Sequence, residues 1–139
     1  MKLTRRALLA FGAGGLAAAA LPFRAMARTL DEAMAAFSGG AAAGEGGLTL
    51  TAPEIAENGN TVPVTVSAPG AVEIAIWAAG NPSPDVATFR FGPAAGSQTA
   101  STRIRLAKTQ DVVAMAKMAD GSVVKAQTTV KVTIGGCGG

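Results

Sequence analysis

Residues 123–134 read VVKAQTTVKVTI, and this stretch decides the fold class. Every second position from Val124 to Ile134 holds an apolar residue or threonine, and the positions between them hold lysine, glutamine or threonine. A period of two over this length is typical of a β-strand with one buried face and one solvated face. The stretch therefore predicts a long final strand that anchors the chain up to Ile134.

Six shorter runs rich in valine, isoleucine and threonine precede this strand. They are residues 48–51, 61–67, 71–78, 87–91, 99–106 and 112–118. Glycine, proline, asparagine and aspartate interrupt the chain between most of these runs, where they favour tight turns. Seven strands in about 90 residues predict an all-β antiparallel sandwich that fills residues 48–134.

Aromatic side chains are scarce in this part of the chain. Trp77 falls in a central predicted strand, which favours a place in the core, with contact to a partner protein as the alternative. The core must then consist mostly of valine, isoleucine, alanine and methionine, which bury less area per residue. Such a thin sandwich would gain stability from a second subunit that covers one face.

A short helix is predicted before the strands. Thr29 and Glu32 match a capping box, in which the hydroxyl and the carboxylate satisfy free amides at a helix start. Leu30, Ala33, Met34 and Phe37 then repeat at helical spacing, and SGG at 38–40 ends the helix. Residues 39–47 are mainly alanine and glycine without a period. Residues 28–47 are therefore predicted to form an N-terminal helix and a linker or loose arm.

Residues 1–27 have the features of an export signal. Arg5 and Arg6 form a twin-arginine pattern, an apolar stretch follows over residues 10–21, and Ala25-Met26-Ala27 is a small-x-small cleavage site. A membrane helix is the alternative, but glycines and a proline interrupt the apolar run, which falls short of the roughly 20 apolar residues of a span. The sequence predicts cleavage after Ala27 and export to the periplasm by the twin-arginine route, with a general secretory signal as the competing route.

Removal of the signal changes the charge of the protein. The full chain carries 12 basic and 9 acidic residues. Residues 1–27 contain four of the basic residues and none of the acidic ones, so the mature chain has eight against nine and a net charge of −1. A nearly neutral chain lacks the basic surface that binds nucleic acid or an anionic membrane. We expect neither as a partner after cleavage.

The residue inventory excludes most catalytic chemistry. The chain has no histidine, no tyrosine and one cysteine. It therefore lacks a Ser/His or Cys/His pair, an imidazole base, and the ligand sets of zinc and haem sites. Glu54 and Glu57 stand beside an Asn-Gly turn and are predicted to be solvated. We expect a single domain that is not an enzyme and has no catalytic residue, no metal and no cofactor.

The chain ends in Gly135-Gly136-Cys137-Gly138-Gly139. A single cysteine in an exported protein has no partner in its own chain, so it is free, bonded to another chain, or loaded with a covalent group. The glycines remove bulk and widen the accessible backbone range, which predicts a thin, flexible arm. Fully extended, this arm would carry the thiol about 10 Å beyond Ile134, enough to enter a narrow channel in another protein.

The thiol itself is predicted to be of ordinary reactivity. No lysine or arginine stands in the arm to stabilise a thiolate, and the terminal carboxylate disfavours one. Activation would then come from a partner's site. The alternatives for the tail are an intermolecular disulfide, an expression scar and a lipid anchor. A lipid anchor needs its cysteine directly after the cleavage site, where this chain has Arg28.

Several stretches together resemble the SoxY family of the thiosulfate-oxidising Sox system. They are EIAENGNTVPV at 54–64, Asn81-Pro82 with Pro84 and VATF at 86–89, RIRLA at 103–107 with Thr109, Gln110 and Val112, Asp120-Gly121, and the terminal GGCGG. The tail and the AENG motif at 56–59 together are highly specific. The resemblance covers the whole chain, with one departure at residues 67–71, where the family has a longer loop that bears on partner contacts.

The resemblance implies an immunoglobulin-like sandwich that forms a heterodimer with a SoxZ-like subunit. It also implies that Cys137 is the site of covalent substrate attachment and that Gly135, Gly136, Gly138 and Gly139 form a swinging arm. In the family's cycle the haem protein SoxAX couples thiosulfate to the cysteine oxidatively and SoxB hydrolyses off sulfate. A sulfane dehydrogenase, where present, oxidises the remaining sulfur. The carrier holds no cofactor besides the sulfur adduct.

Arg103 and Arg105 alternate in a predicted strand and are expected to project from one face. One interpretation is a solvated sheet face that nearby acids balance. The other is a contact with a partner or with an anionic sulfur oxoacid.

Overall fold

The structure, a computed structural model, describes residues 28–133. Within this range it has one helix, α1 (Leu30–Ser38), and nine strands. The strands are β1 (Ala43–Gly44), β2 (Thr49–Thr51), β3 (Ile55–Ala56), β4 (Val62–Ser67), β5 (Ala71–Ala78), β6 (Asp85–Arg90), β7 (Thr99–Ile104), β8 (Gln110–Met118) and β9 (Val123–Val132). The predicted all-β fold is confirmed. In this part of the chain, no helix is both long and apolar enough to cross a membrane.

Seven of the strands form two facing antiparallel sheets. One sheet runs β9-β8-β5-β6 and the other β2-β4-β7. In the lettering of immunoglobulin domains these are G-F-C-C′ and A-B-E, which is an immunoglobulin-like arrangement. Each of the seven corresponds to a predicted run, with ends that differ by at most two residues. The predicted end of the last strand, Ile134, lies outside the described residues.

Two strands of two residues each were not predicted. β1 pairs in parallel with Val123 and Val124, and β3 pairs in parallel with Lys131 and Val132. Both therefore lie along the edge of β9 that faces away from β8. The segment 39–47, predicted to be a linker or loose arm, is attached to the sheet at β1. Strands this short leave no periodic pattern in a sequence.

The main core lies between the two sheets. Val62, Val64 and Val66 of β4 cluster with Ile74 and Ile76 of β5, and all five are at most 1% exposed. Along β4 these side chains alternate with exposed or half-buried ones, which is the expected period of two. Burial of each such side chain contributes about 1.5–3 kcal/mol, so this core supplies much of the stability of the domain.

The outer face of the larger sheet is also apolar, and α1 covers it. β5 and β8 are buried on both faces over residues 74–78 and 112–116. Ala33 of the helix belongs to one cluster with Trp77 and Met115. Phe37 stands edge-on to Trp77, with ring centroids 5.5 Å apart. Trp77 is buried, as predicted, but it lies under the helix and not between the sheets.

The ends of α1 follow the predicted signals. The Thr29 hydroxyl accepts a hydrogen bond from the N–H of Glu32, and the Glu32 carboxylate accepts one from the N–H of Thr29. Gly39, with φ of 64°, ends the helix in the left-handed conformation. A helix of nine residues has little stability alone, so its packing on the sheet keeps it folded.

Candidate functional site

The predicted attachment site and arm, Cys137 with Gly135, Gly136, Gly138 and Gly139, lie outside the described residues. The same holds for the signal residues Arg5 and Arg6 and for the predicted cleavage after Ala27. The last described residue, Thr133, stands four positions before Cys137. Residues 131–133 are the last described residues before the predicted arm, and we call them the arm base.

The arm base extends past the strand beside it. The register of β8 with β9 ends at the pair Gln110 and Val130. On the other edge of β9, the N–H of Lys131 donates to the Glu54 carbonyl at 2.9 Å. The N–H of Thr133 donates to the carbonyl of Ala56 at 3.1 Å. The segment around β3 therefore continues the sheet where β8 has ended.

Thr109 takes the place of backbone pairing on the β8 side. Its Oγ1 accepts a hydrogen bond from the N–H of Val132 at 2.9 Å. The same hydroxyl donates to the carbonyl of Val132 at 3.4 Å. One side chain thus satisfies both backbone groups of Val132, and the arm base is held on both edges.

The turn after β3 packs so closely against the arm base and Leu106 that position 59 has no space for a side chain. Asn58 Oδ1 accepts from the N–H of Asn60 at 3.0 Å, and the Gly59 carbonyl accepts from the N–H of Leu106 at 2.7 Å. A Cβ on Gly59 would lie 2.5 Å from the Leu106 carbonyl oxygen and 2.9 Å from Val132 Cγ1. Gly59 does not have a positive φ, so the requirement for glycine is steric.

A buried amide network fixes the neighbouring loop. Gln110, which is 7% exposed, donates to Asn81 Oδ1 at 2.8 Å. Asn81 donates to the carbonyl of Arg105 at 2.8 Å and accepts from the N–H of Ala107 at 2.9 Å. These bonds hold the loop 105–109, which supplies the contacts of Leu106 and Thr109 to the arm-base region.

The segments that carry the sequence resemblance meet at this end of the sandwich. The AENG motif, the Asn81 turn and the Thr109-Gln110 pair are linked to one another or to residues 131–133 by the bonds above. Sequence reasoning identified these segments but missed the roles of Gly59 and Thr109. The one available signal was a set of asparagine, glutamine and threonine side chains in loops that precede or follow predicted strands.

Arg103 and Arg105, singled out in the sequence, are both exposed. Arg103 lies within β7, but Arg105 lies beyond its end at Ile104. Within residues 28–133 the salt bridges involve other arginines. Glu54 and Glu57 are exposed, as predicted. The solvated-face interpretation of the two arginines agrees with this exposure, and a contact with a partner stays a prediction.

Two carboxyl groups have shifted pKa values. Arg28 donates two hydrogen bonds to Asp85, at 2.7 and 2.9 Å, and thereby lowers the pKa of that carboxyl. In the turn between β8 and β9, Ser122 donates to Asp120 through its hydroxyl at 2.6 Å and its N–H at 2.9 Å, which lowers the pKa of Asp120. Both arrangements stabilise local structure. No cluster of three potential metal-ligating side chains occurs among the described residues.

Comparison with known proteins agrees with the geometry. The sequence model of a family described as sulfur oxidation protein SoxY matches residues 34–137, a range that includes Cys137. Among solved structures, the sulfur carrier protein SoxY from Chlorobium limicola f thiosulfatophilum is 42% identical. That match covers 76% of this chain and 97% of the other, with a TM-score of 0.67.

A superoxide reductase (neelaredoxin) from Ignicoccus hospitalis also matches, at 18% identity over 81% of this chain and 100% of the other, with a TM-score of 0.56. At that identity the likeness concerns the fold alone. No match was found among curated proteins. The family match spans most of the sequence and agrees with the identity to a solved SoxY, and the chain therefore belongs to the SoxY family of sulfur oxidation proteins.

Proposed function

We propose that this chain is a covalent carrier that holds sulfur intermediates on Cys137 and presents them to the enzymes of periplasmic thiosulfate and sulfur oxidation. One observation carries the proposal. The lone cysteine of a SoxY-family chain stands, between glycines, five residues beyond a strand end that is held on both edges. A thiol so placed can enter another protein's site while the folded domain stays outside. The SoxY of C. limicola is described as a sulfur carrier protein, and we assign the same role here.

In this cycle the partners supply the catalytic groups. The Cys137 thiol loses its proton and forms an S–S bond to the outer sulfur of thiosulfate, and the two electrons released pass to the haem partner SoxAX. SoxB then adds water at the sulfonate sulfur, which releases sulfate and leaves a persulfide on Cys137. A sulfane dehydrogenase would oxidise that remaining sulfur. Because the chain has no histidine to act as a general base near neutral pH, we propose that it is a carrier and not an enzyme.

The proposal includes one structural partner and an export route. A SoxZ-like subunit would form a heterodimer with residues 48–134. Residues 1–27 would direct the folded chain through the twin-arginine route, and cleavage after Ala27 would release it into the periplasm without a membrane anchor. The sulfur adduct on Cys137 would be the only group that it holds.

Mass spectrometry of the protein from cells grown on thiosulfate tests the proposal. We expect added masses of sulfur and of thiosulfonate on the Cys137 peptide. Cys137→Ser should carry no adduct and should fail to restore thiosulfate oxidation to cells that lack the gene. Gly92→Ala is the control, because its added Cβ meets nothing within 4 Å. Normal oxidation with Cys137→Ser would refute the carrier role.

The alternative is an exported interaction module whose cysteine forms a disulfide with another chain. In that case the same spectra would contain only disulfide-linked chains. An enzyme, by contrast, would turn over sulfur compounds as the purified chain without partners, and we expect no turnover. The export route has its own test: residues 1–35 fused to a reporter should stay in the cytoplasm of a strain without the twin-arginine translocase.

A further inference from the structure

The arm base is held more firmly than the end of a strand requires. Chain segments near a terminus commonly fray, because few contacts hold them. Here each backbone N–H of residues 131–133 donates to an acceptor in another segment. The acceptors are the carbonyls of Glu54 and Ala56 on one edge and the hydroxyl of Thr109 on the other. These bonds fix both the position and the direction of the chain at Thr133.

Gly59 determines how closely the turn after β3 approaches this point. Leu106 is 2% exposed and is bonded to the Gly59 carbonyl, so it has little freedom to move. A new Cβ at position 59 would lie 2.5 Å from the Leu106 carbonyl oxygen and 2.9 Å from Val132 Cγ1, so the turn itself would have to shift. This turn follows Ala56, whose carbonyl accepts the N–H of Thr133, so the shift would disturb the arm base. The absence of a side chain at Gly59 thus preserves the position of the arm base.

We infer that residues 54–60 and Thr109 form a clamp that sets the direction in which the arm leaves the domain, and that Gly59 and Thr109 are positioning residues for delivery of Cys137. This inference rests on the proposed carrier function. In the proposed carrier function, the position of the arm base sets where the Cys137 thiol can be presented. If the arm base moved, the thiol would be spread over a larger volume, and its effective concentration at the entrance of an enzyme would fall. A fixed arm base raises that effective concentration.

A clamp of this kind predicts a specific kinetic effect. Ala56 and Leu106 belong to the main core with Val64, Val66 and Ile74, but Thr109 is exposed and, among the described residues, its hydroxyl bonds only to Val132, so Thr109→Val should leave the sandwich folded. The proposed covalent chemistry occurs on Cys137, which is not one of the clamp residues and stands four positions beyond Thr133. Loosening the clamp should therefore weaken productive binding of the carrier to its enzymes. The rate of the reaction once the carrier is bound should stay the same.

Hydrogen exchange tests the clamp itself. In the purified mature chain, the amides of residues 131–133 are followed by NMR in Thr109→Val and Gly59→Ala. Thr109→Ser keeps the hydroxyl and is the conservative control, and Gly96→Ala adds a Cβ that meets nothing within 4 Å. We expect exchange at these amides to be about tenfold faster in the first two variants and unchanged in the controls. Unchanged exchange in Thr109→Val would overturn the clamp.

Carrier titration tests the positioning role. An extract of cells that lack the gene is supplemented with increasing amounts of each purified carrier, and thiosulfate-dependent cytochrome c reduction is measured. For Thr109→Val and Gly59→Ala we expect the half-saturating carrier concentration to rise about tenfold. The maximal rate, and the reaction of Cys137 with a small thiol reagent, should stay unchanged. If Gly59→Ala does not fold, the comparison of Thr109→Val with Thr109→Ser tests the positioning role by itself.

Two results would overturn the positioning role. One is faster exchange at residues 131–133 with an unchanged half-saturating concentration. The other is a lower maximal rate at an unchanged half-saturating concentration. Failure of the carrier function itself is distinguishable, because Cys137→Ser would then support the reaction.

Discussion

The indole N–H of Trp77 donates to Oδ1 of Asp85 at 3.1 Å, and Arg28 donates two shorter hydrogen bonds to the same carboxylate. Trp77 is the only tryptophan of the chain. It also lies under α1, where Phe37 meets it edge-on. Its fluorescence therefore reports both the Asp85 contact and the attachment of the helix to the sheet.

Phe37→Ala should loosen α1. The substitution removes the edge-on ring contact and part of the apolar cover of Trp77, and we expect a loss of about 2 kcal/mol in the free energy of unfolding, because Phe37 is half-buried. Trp77 emission should shift to longer wavelength. Urea unfolding followed by fluorescence measures both. Phe37→Leu, which keeps an apolar side chain, should lose less, and an unchanged emission in Phe37→Ala would contradict the packing.

Acid should weaken the Arg28 contact to Asp85. The folded-state pKa of Asp85 is lowered, so its contribution to stability is present above the ordinary aspartate range and is lost as pH falls through the folded pKa. We expect constant stability from neutral pH to about pH 5 and a decline below about pH 4. The decline should be shallower in Asp85→Asn, measured by urea unfolding at each pH. Asp120 titrates in both proteins, so the difference isolates Asp85, and equal declines would contradict the prediction.

Two residues near the start of β5 predict a contrast in stability. Ile74 is fully buried in the core between the sheets, whereas the nearby Val72 is 42% exposed. Ile74→Ala should cost about 2–5 kcal/mol, since it leaves a cavity in a packed core. Val72→Ala is the matched control and should cost about 0.5 kcal/mol or less. Thermal and urea unfolding measure the difference, and similar losses would contradict the assigned core.

Bulk in the arm should block delivery without unfolding the domain. Gly138→Leu adds a branched side chain next to Cys137, and we expect it to abolish turnover by the client enzymes. We expect the melting temperature to stay unchanged, because position 138 is six residues past the end of β9 at Val132. Gly138→Ala should have a smaller effect. Normal turnover by Gly138→Leu would show that the entrance to the client site is not narrow.

The Cys137 thiol should behave as an ordinary cysteine in the isolated mature chain. No cation stands in the arm to stabilise the thiolate. The rate of alkylation by iodoacetamide should therefore rise with pH through the normal range of a free thiol. An apparent pKa well below neutral would show that the domain activates the thiol itself.

The strands were predictable where burial differs between two faces. Burial alternates along all of β4 and over residues 126–132 of β9, and this alternation is local, so the sequence displays it. β5 is buried on both faces over residues 74–78 and shows no alternation. Nothing within it indicates which face meets α1, and the place of Trp77 under the helix could not be predicted for that reason.

Of the candidate site, only the cysteine and its glycines could be predicted from the sequence. The cysteine between glycines is a feature of composition and needs no structure to be seen. The clamp joins residues 54–60, Leu106, Thr109 and residues 131–133, through backbone groups, one hydroxyl and one missing side chain. Contacts between segments so far apart in the chain leave no local pattern, so their meeting point emerges only from the fold.

The turn at Asp120 and Gly121 precedes β9, and residues 123–130 of that strand separate it from the arm base by about 27 Å. Both turn residues are exposed, and the register places them at the opposite end of the sandwich. A purification tag or an electrode linker inserted there would leave the clamp untouched. Chains immobilised through this turn would hold their arm bases away from the support, in one orientation. A surface coated in this way could capture and count any enzyme that accepts cysteine-bound sulfur.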